Sequence, residues 1–114
     1  MISYAQNYED VILARVFQKL ENGTYVDLGA SDSTLDSVTR HFYDSGWSGI
    51  NVEPNPENFQ TLERDRPRDL NLNVGVGAEN STQTFYSIFG NGLSTFDTAL
   101  GKNVGLSPKK FIVK

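Results

Sequence analysis

The residues best suited to chemistry lie in a short stretch, Thr24 to Ser33, which reads TYVDLGASDS. An acid, Asp27, and a glycine, Gly29, stand where an apolar, β-rich segment should end, and polar residues follow. A glycine lets the backbone approach a ligand closely, and the start of a following helix offers N–H groups and a positive dipole end. The stretch is therefore either a nucleotide-binding loop or a plain strand and turn.

A second acid, Glu53, ends another short β-rich stretch, INVEP. A carboxylate there can accept hydrogen bonds from two ribose hydroxyls, as an acid about 20 residues beyond the first loop does in nucleotide-binding folds. Asp27 and Gly29 alone fit a strand and turn equally well, and the placement of Glu53 favours binding. Gly75 and Gly77, in NVGVGAEN, suit an adenine slot, although a bulge or a tight bend explains them equally well.

The first loop lacks the glycine pattern of dinucleotide-binding proteins. That pattern needs three glycines, whereas Ala30, Ser31 and Asp32 follow Gly29. The charge of Asp32 would repel a pyrophosphate, so a ligand with a cationic or zwitterionic group fits this loop better. S-adenosylmethionine, with its amino-acid end, ribose and adenine, matches the three strand ends, and an NAD-dependent oxidoreductase is disfavoured.

Hydrophobic periodicity and capping residues predict the elements that position these side chains. Ser33 or Thr34 is the expected cap of the second helix and Gly46 its end, while Asn55 and Pro56 should begin the third. Strands that alternate with helices indicate a parallel α/β sheet, in which ligands bind beyond the carboxyl ends of the strands. The predicted helices lie within residues 7–23, 34–46 and 55–67, and the predicted strands within 24–28, 48–54, 70–77 and 82–89.

Composition limits the classes of function. A chain of 114 residues makes one small domain, and a net charge of -4 without a basic run disfavours nucleic acid as a partner. The sequence has no cysteine, which excludes disulfides and thiolate chemistry and fits a reducing compartment. No run of about 18 apolar residues occurs, so a membrane span is not expected. The expected location is the cytoplasm.

Four segments resemble the amino-terminal half of the FkbM family of S-adenosylmethionine-dependent methyltransferases: SYAQNYEDVILARVF, GTYVDLGASDSTLDSVTRHFYDSGWSGINVEPNPENF, DLNLNVGVG and GLSTFD. The resemblance implies a Rossmann-like class I methyltransferase fold, with a parallel sheet and flanking helices. It also implies methyl transfer, without a metal, to a hydroxyl group on a sugar or a secondary metabolite. By this resemblance Asp27, Gly29 and Ala30 would surround the methionine part of the cofactor, Glu53 would hold the ribose, and Pro54, Val76 and Gly77 would flank the adenine.

The resemblance ends near residue 97, and the further strands of the family do not follow. Residues 1–97 are therefore expected to form a partial domain, and residues 98–114 are left as an unassigned tail. The alternative is a non-catalytic fragment that folds or forms oligomers through the exposed edge of strand one. If the chain is an enzyme, the expected acceptor is a small molecule or a glycan. Ser94 and Thr95 are interpreted as turn residues.

Three further features have structural interpretations beside functional ones. His41 is expected to be a solvated helix residue rather than a base, and Trp47 a packing anchor rather than a substrate platform. Gln6, Glu9 and Asp10 form a polar cluster that suits helix capping and a cofactor mouth equally well. The sequence identifies no general base.

Overall fold

The structure, a computed structural model, describes residues 1–77, 80, 82–87 and 109–113. Three strands form a parallel sheet in the order β1-β2-β3, and β4 and β5 form a separate antiparallel pair. The predicted α/β architecture, a parallel sheet with helices, is confirmed. Ser94 and Thr95 lie outside the described residues. The elements are α1 (Glu9–Val16), β1 (Thr24–Leu28), α2 (Arg40–Asp44), β2 (Ser48–Val52), α3 (Pro56–Asp65), β3 (Leu70–Leu72), β4 (Gln83–Ser87) and β5 (Lys109–Val113).

Helix α3 begins where the sequence predicts. The side chain of Asn55 accepts a hydrogen bond from the backbone N–H of Glu57 at 2.9 Å, and Pro56 is the first helical residue. Proline fits there because its missing N–H would have no partner within the helix. Helix α1 is shorter than predicted and ends at Val16, a residue that is 67% exposed. A helix of this length depends on tertiary packing, which its exposed apolar side chains do not supply.

Helix α2 begins later than predicted, at Arg40, and the expected cap at Ser33 or Thr34 is wrong. The hydroxyl of Ser33 instead donates to the carboxylate of Asp65 at 2.7 Å. Asp32 accepts hydrogen bonds from two backbone N–H groups within the same segment, each at 2.8 Å. These contacts hold residues 29–39 as a loop, called the β1 loop below. The predicted end is confirmed, since Gly46 follows α2 with a φ of 99°.

The sheet has an apolar face and a polar face because successive side chains alternate along each strand. On the apolar face Val26, Ile50 and Leu70 are register partners. Strand β1 is one of the two outer strands of this sheet, and its side chains Val26 and Leu28 are 65% and 60% exposed. On the polar face the register partners are Asp27, Asn51 and Asn71.

The core near the amino ends of the strands is aromatic. Trp47 is buried, with its ring centroid 4.9 Å from that of Phe42 and 6.0 Å from that of Phe17. A Cβ atom at Gly23 would lie 2.4 Å from the indole ring, so this close approach requires glycine. The interpretation of Trp47 as a packing anchor is confirmed. Among the helices of the described residues, none has the length and apolarity needed to cross a membrane.

Candidate functional site

Backbone hydrogen bonds join the carboxyl ends of the three parallel strands. The N–H groups of Gly29 and Ala30 both donate to the carbonyl oxygen of Val52, at 2.8 and 3.1 Å. The N–H of Glu53 donates to the carbonyl oxygen of Leu72 at 3.0 Å. The residues that follow β1 and β2 therefore lie side by side, as the sequence predicts for a parallel sheet.

Glu53 lies at the centre of this edge, and its side chain bonds to the β1 loop. One carboxylate oxygen accepts the N–H of Ser31 at 2.7 Å, and the other accepts the N–H of Asn55 at 3.2 Å. Burial raises the pKa of Glu53, and the charge of Asp27 adds to the rise, while the hydrogen bonds from Ser31 and Asn55 oppose it. Each oxygen keeps a second lone pair, so the group can still accept hydrogen bonds from a ligand.

Gly29 presents bare backbone at the surface. It is exposed, its φ is 74°, and apart from its chain neighbours no atom of the described residues lies within 4 Å of the position that a Cβ would take. The expectation that a helix start offers free N–H groups here is wrong, because α2 begins only at Arg40. The N–H groups of Gly29, Ala30 and Ser31 are already used by Val52 and Glu53. What the loop offers a ligand is therefore close approach and negative charge.

Asp27 is half-buried on the polar face of the sheet. Its carboxylate accepts a hydrogen bond from the hydroxyl of Thr39 at 2.9 Å. That hydroxyl accepts a hydrogen bond from the guanidinium of Arg66 at 2.7 Å. Sequence reasoning missed both partners: Arg66, at the end of a helix before a proline, has the pattern of a solvated charge, and no local signal marks it as buried.

The third strand end is tied to the second by Asn73. Its side-chain amide donates to the carbonyl oxygens of Glu53 and Pro54, at 2.9 and 3.0 Å. Pro54 is half-buried, whereas Val76 is 63% exposed, and no described residue other than its chain neighbours lies within 4 Å of where a Cβ of Gly77 would be. The structure thus brings Pro54 together with Glu53, and leaves Val76 as accessible apolar surface on the segment after β3. Sequence reasoning also missed Asn73, which looks like an ordinary strand residue.

An apolar groove of about 870 Å³ lies beside the body of β1 rather than at the strand ends. Its walls include Phe17, Phe42 and Trp47, and they reach Asp27 and Thr39. Among the residues that the structure describes, those directly after the strand ends, 29–31, 53–54 and 73–77, do not line this groove. We therefore place the candidate site at the strand ends, where the acids and the exposed glycine lie.

The acids near the amino terminus hold the backbone. Asp10 is fully buried and accepts hydrogen bonds from the hydroxyl of Ser3 at 2.6 Å and from the N–H of Tyr4 at 2.8 Å. Burial acts to raise the pKa of Asp10, but its hydrogen bonds outweigh burial and lower it. Glu9 accepts the N–H of Asn7 at 3.0 Å. These contacts hold the segment before α1, whereas the N-cap residue of the helix, Tyr8, has no side-chain cap hydrogen bond. The capping and cofactor-mouth interpretations both stay predictions.

His41 and the acidic residues are the candidates for a general base or for metal ligands. His41 is half-buried on α2, and its ring lies 5.3 Å, edge to face, from that of Phe42. It is therefore packed in part rather than fully solvated, which differs from the prediction. Among the residues with a described placement, no group of three or more acids or histidines could hold a metal ion.

Comparison with known proteins gives one match. Residues 27–111, which are most of the 114-residue chain, match the family model of the methyltransferase FkbM domain. No curated protein and no solved structure matches the chain. The matched range starts at Asp27 and includes every residue of the candidate site, and it continues into residues 98–111, which the sequence predictions left unassigned.

Proposed function

The chain belongs to the FkbM methyltransferase family, and we propose that it binds S-adenosylmethionine at the carboxyl ends of β1, β2 and β3. The observation that carries the proposal is the contact between the Glu53 carboxylate and the N–H of Ser31 at 2.7 Å. This contact puts an acid suited to a ribose directly against the loop suited to the rest of the cofactor.

The proposed roles follow from charge and exposure. Asp27, Gly29 and Ala30 surround the methionine part, where the exposed backbone of Gly29 allows a close approach. The negative charges of Asp27 and Glu53 favour a ligand that carries a sulfonium and an ammonium group. Glu53 accepts the ribose hydroxyls with its remaining lone pairs.

The adenine is proposed to lie beyond the ribose, between the ends of β2 and β3. Pro54 and the exposed side chain of Val76 supply apolar surface there, and Gly77 leaves room for a planar ring. Asn73 holds the backbone of Pro54, which supports a fixed wall on one side of such a ring.

The proposed reaction is methylation of a hydroxyl group. Bound S-adenosylmethionine would supply an electrophilic methyl group: a bond would form between the acceptor oxygen and the methyl carbon as the carbon–sulfur bond breaks. S-adenosylhomocysteine would be the leaving group, and the hydroxyl proton would pass to water. The residues of this chain contribute mainly by binding and orienting the donor, since alignment of donor and acceptor provides much of the rate. The acceptor is predicted to be a small molecule or a glycan, such as a sugar or a secondary metabolite. The predicted location is the cytoplasm.

A second candidate is a non-catalytic domain that associates with a second copy of itself. It is supported by the outer position of β1 in the described sheet and by the exposure of Val26 and Leu28, 65% and 60%. An unpaired edge with apolar side chains is a template for strand pairing. Sedimentation velocity of the wild type and of Val26→Lys tests it: a dimer that Val26→Lys dissociates supports it, and a monomeric wild type contradicts it.

Isothermal titration of the 114-residue chain with S-adenosylhomocysteine tests the main proposal, with NAD as the control titrant. We expect saturable binding of S-adenosylhomocysteine alone, and loss of that binding in Glu53→Ala with unchanged circular dichroism. Equal affinity for NAD, or no binding by a folded wild-type sample, would contradict cofactor binding by this chain.

A further inference from the structure

A buried guanidinium lies behind the β1 loop. Arg66, just after α3, is 1% exposed, and burying a charge is costly unless hydrogen bonds and a counter-ion compensate for it. One terminal nitrogen donates to the carbonyl oxygen of Ser33 at 2.9 Å and to the hydroxyl of Ser37 at 2.8 Å. The other donates to the hydroxyl of Thr39 at 2.7 Å. These three acceptors all belong to the β1 loop.

The loop has a shape that local sequence does not maintain by itself. Ser31 and Asp36 both have a φ of 58°, which is uncommon for residues other than glycine. Arg66 contacts the loop at Ser33, which lies between these two residues, and at Ser37 and Thr39, near the end of the loop. The guanidinium therefore fixes the path of the chain that joins β1 to α2.

Arg66 also acts on Asp27 through Thr39. A hydroxyl has a single hydrogen, and that of Thr39 points to the Asp27 carboxylate at 2.9 Å while Arg66 donates to the same oxygen. Because the guanidinium occupies the acceptor side of the hydroxyl, the hydroxyl is held as a donor toward Asp27. The rotamer of Asp27 is thereby coupled to Arg66.

The charge of Arg66 is compensated elsewhere. Its guanidinium lies 3.9 Å from the carboxylate of Asp69, which is buried and also accepts hydrogen bonds from the N–H of Gly49 and the amide of Asn51, each at 2.9 Å. Asp69, rather than Asp27, is therefore the counter-ion of Arg66. Asp27 keeps its negative charge available to a ligand.

We propose that Arg66 is a positioning residue for the cofactor site, which it organises by holding the hydroxyl of Thr39 as a donor to the carboxylate of Asp27. The proposal rests on the proposed function, in which Asp27 faces the methionine part of the cofactor. It adds a role for two residues, Arg66 and Thr39, that lie behind the strand ends and do not themselves contact the ligand.

The test removes the Thr39 hydroxyl at nearly constant shape. Thr39→Val breaks the connection to Asp27, and Thr39→Ser restores the hydroxyl. Ser37→Ala is the matched control, because it removes another acceptor of Arg66 that has no hydrogen bond to Asp27. Each variant is measured by titration with S-adenosylhomocysteine and by NMR three-bond couplings that report the χ1 rotamer of Asp27. Thr39→Ala serves as a second variant if Thr39→Val does not fold.

We expect Thr39→Val to weaken binding about 10-fold to 100-fold, the range for a hydrogen bond to a charged group, and to average the Asp27 rotamers. Ser37→Ala and Thr39→Ser should stay within about 3-fold of the wild type and keep one rotamer. Equal losses in Thr39→Val and Ser37→Ala, or an unchanged Asp27 rotamer in Thr39→Val, would overturn the proposal. If the wild type does not bind the titrant, the proposed function fails, and the rotamer measurement still decides whether Thr39 positions Asp27.

Discussion

Relative to the wild type, Glu53→Gln should gain stability and lose cofactor affinity as the pH rises. Glu53 is 4% exposed, and burial together with the charge of Asp27 raises its pKa above the usual value of 4.5. An acid whose pKa is raised by folding stabilises the protein fully below its unfolded pKa and loses that contribution as the pH rises through its folded pKa. The ionised form at neutral pH therefore costs stability, and Glu53→Gln removes that cost.

The magnitude follows from the contacts of the group. Each unit by which folding raises the pKa corresponds to about 1.4 kcal/mol in favour of Glu53→Gln once the pH exceeds the folded pKa. Against this, glutamine has one acceptor oxygen, so it cannot accept from both Ser31 and Asn55. The lost acceptor costs about 1 to 3 kcal/mol. This second cost does not depend on pH, so the pH dependence isolates the charge.

The affinity of Glu53→Gln for the cofactor should be lower than that of the wild type. A hydrogen bond from a ribose hydroxyl to a charged acceptor is worth about 1.5 to 3 kcal/mol, so Glu53→Gln should bind S-adenosylhomocysteine about 10-fold to 100-fold more weakly at neutral pH. Wild-type affinity should fall as the pH is lowered through the folded pKa, because the protonated acid is a poorer acceptor. The affinity of Glu53→Gln should change little over the same range.

The assay is urea unfolding and isothermal titration from pH 4 to pH 8. Glu63→Gln is the matched control, because Glu63 is an exposed glutamate on α3, the helix that follows β2. The reasoning predicts that the stability difference between Glu53→Gln and the wild type grows in favour of glutamine with rising pH, and that Glu63→Gln shows no such trend. A difference that is constant with pH, together with unchanged affinity, would refute it.

Three further changes test the fold, each by urea unfolding. Gly49→Ala should destabilise by about 1 to 3 kcal/mol or more, since its Cβ would lie 2.1 Å from the backbone oxygen of Tyr25. Gly29→Ala should cost only about 1 kcal/mol, from its positive φ, because its Cβ meets open space; a larger loss than in Gly49→Ala would contradict this packing. Asn55→Ala removes the cap of α3 and should cost about 1 kcal/mol, whereas a change within error would show the cap to be dispensable.

The parts of the fold that were predictable from sequence are those fixed by neighbours in the chain. The start of α3 depends on Asn55, Pro56 and Glu57, which are adjacent, so the cap could be recognised from residue types alone. The start of α2 depends instead on Ser33, whose hydroxyl is taken by Asp65 and whose carbonyl is taken by Arg66. Capping rules ignore such distant partners, and the predicted helix therefore began too early.

The same distinction separates the two halves of the candidate site. The position of Glu53 after a short strand was visible from sequence, and the structure places it against the β1 loop. The use of the loop N–H groups was not visible, because their acceptors, Val52 and Glu53, belong to the next strand and its end. Sequence reasoning counted those N–H groups as free for a ligand, and in the structure they hold the strand ends together.

This difference changes what the site can recognise. A loop with free N–H groups would favour an anion, whereas here the N–H groups at residues 29–31 are used. Carboxylates then dominate the charge of this edge: Asp32 within the loop, and Asp27 and Glu53 beside it. The two arginines that donate hydrogen bonds to the loop each have a counter-ion: the buried Arg66 lies beside Asp69, and Arg40, which donates to the hydroxyl of Thr34, pairs with Asp44. The site is therefore negative where the methionine part is proposed to bind, so it should attract the positively charged sulfonium of the methyl donor more strongly than the neutral thioether that remains after transfer.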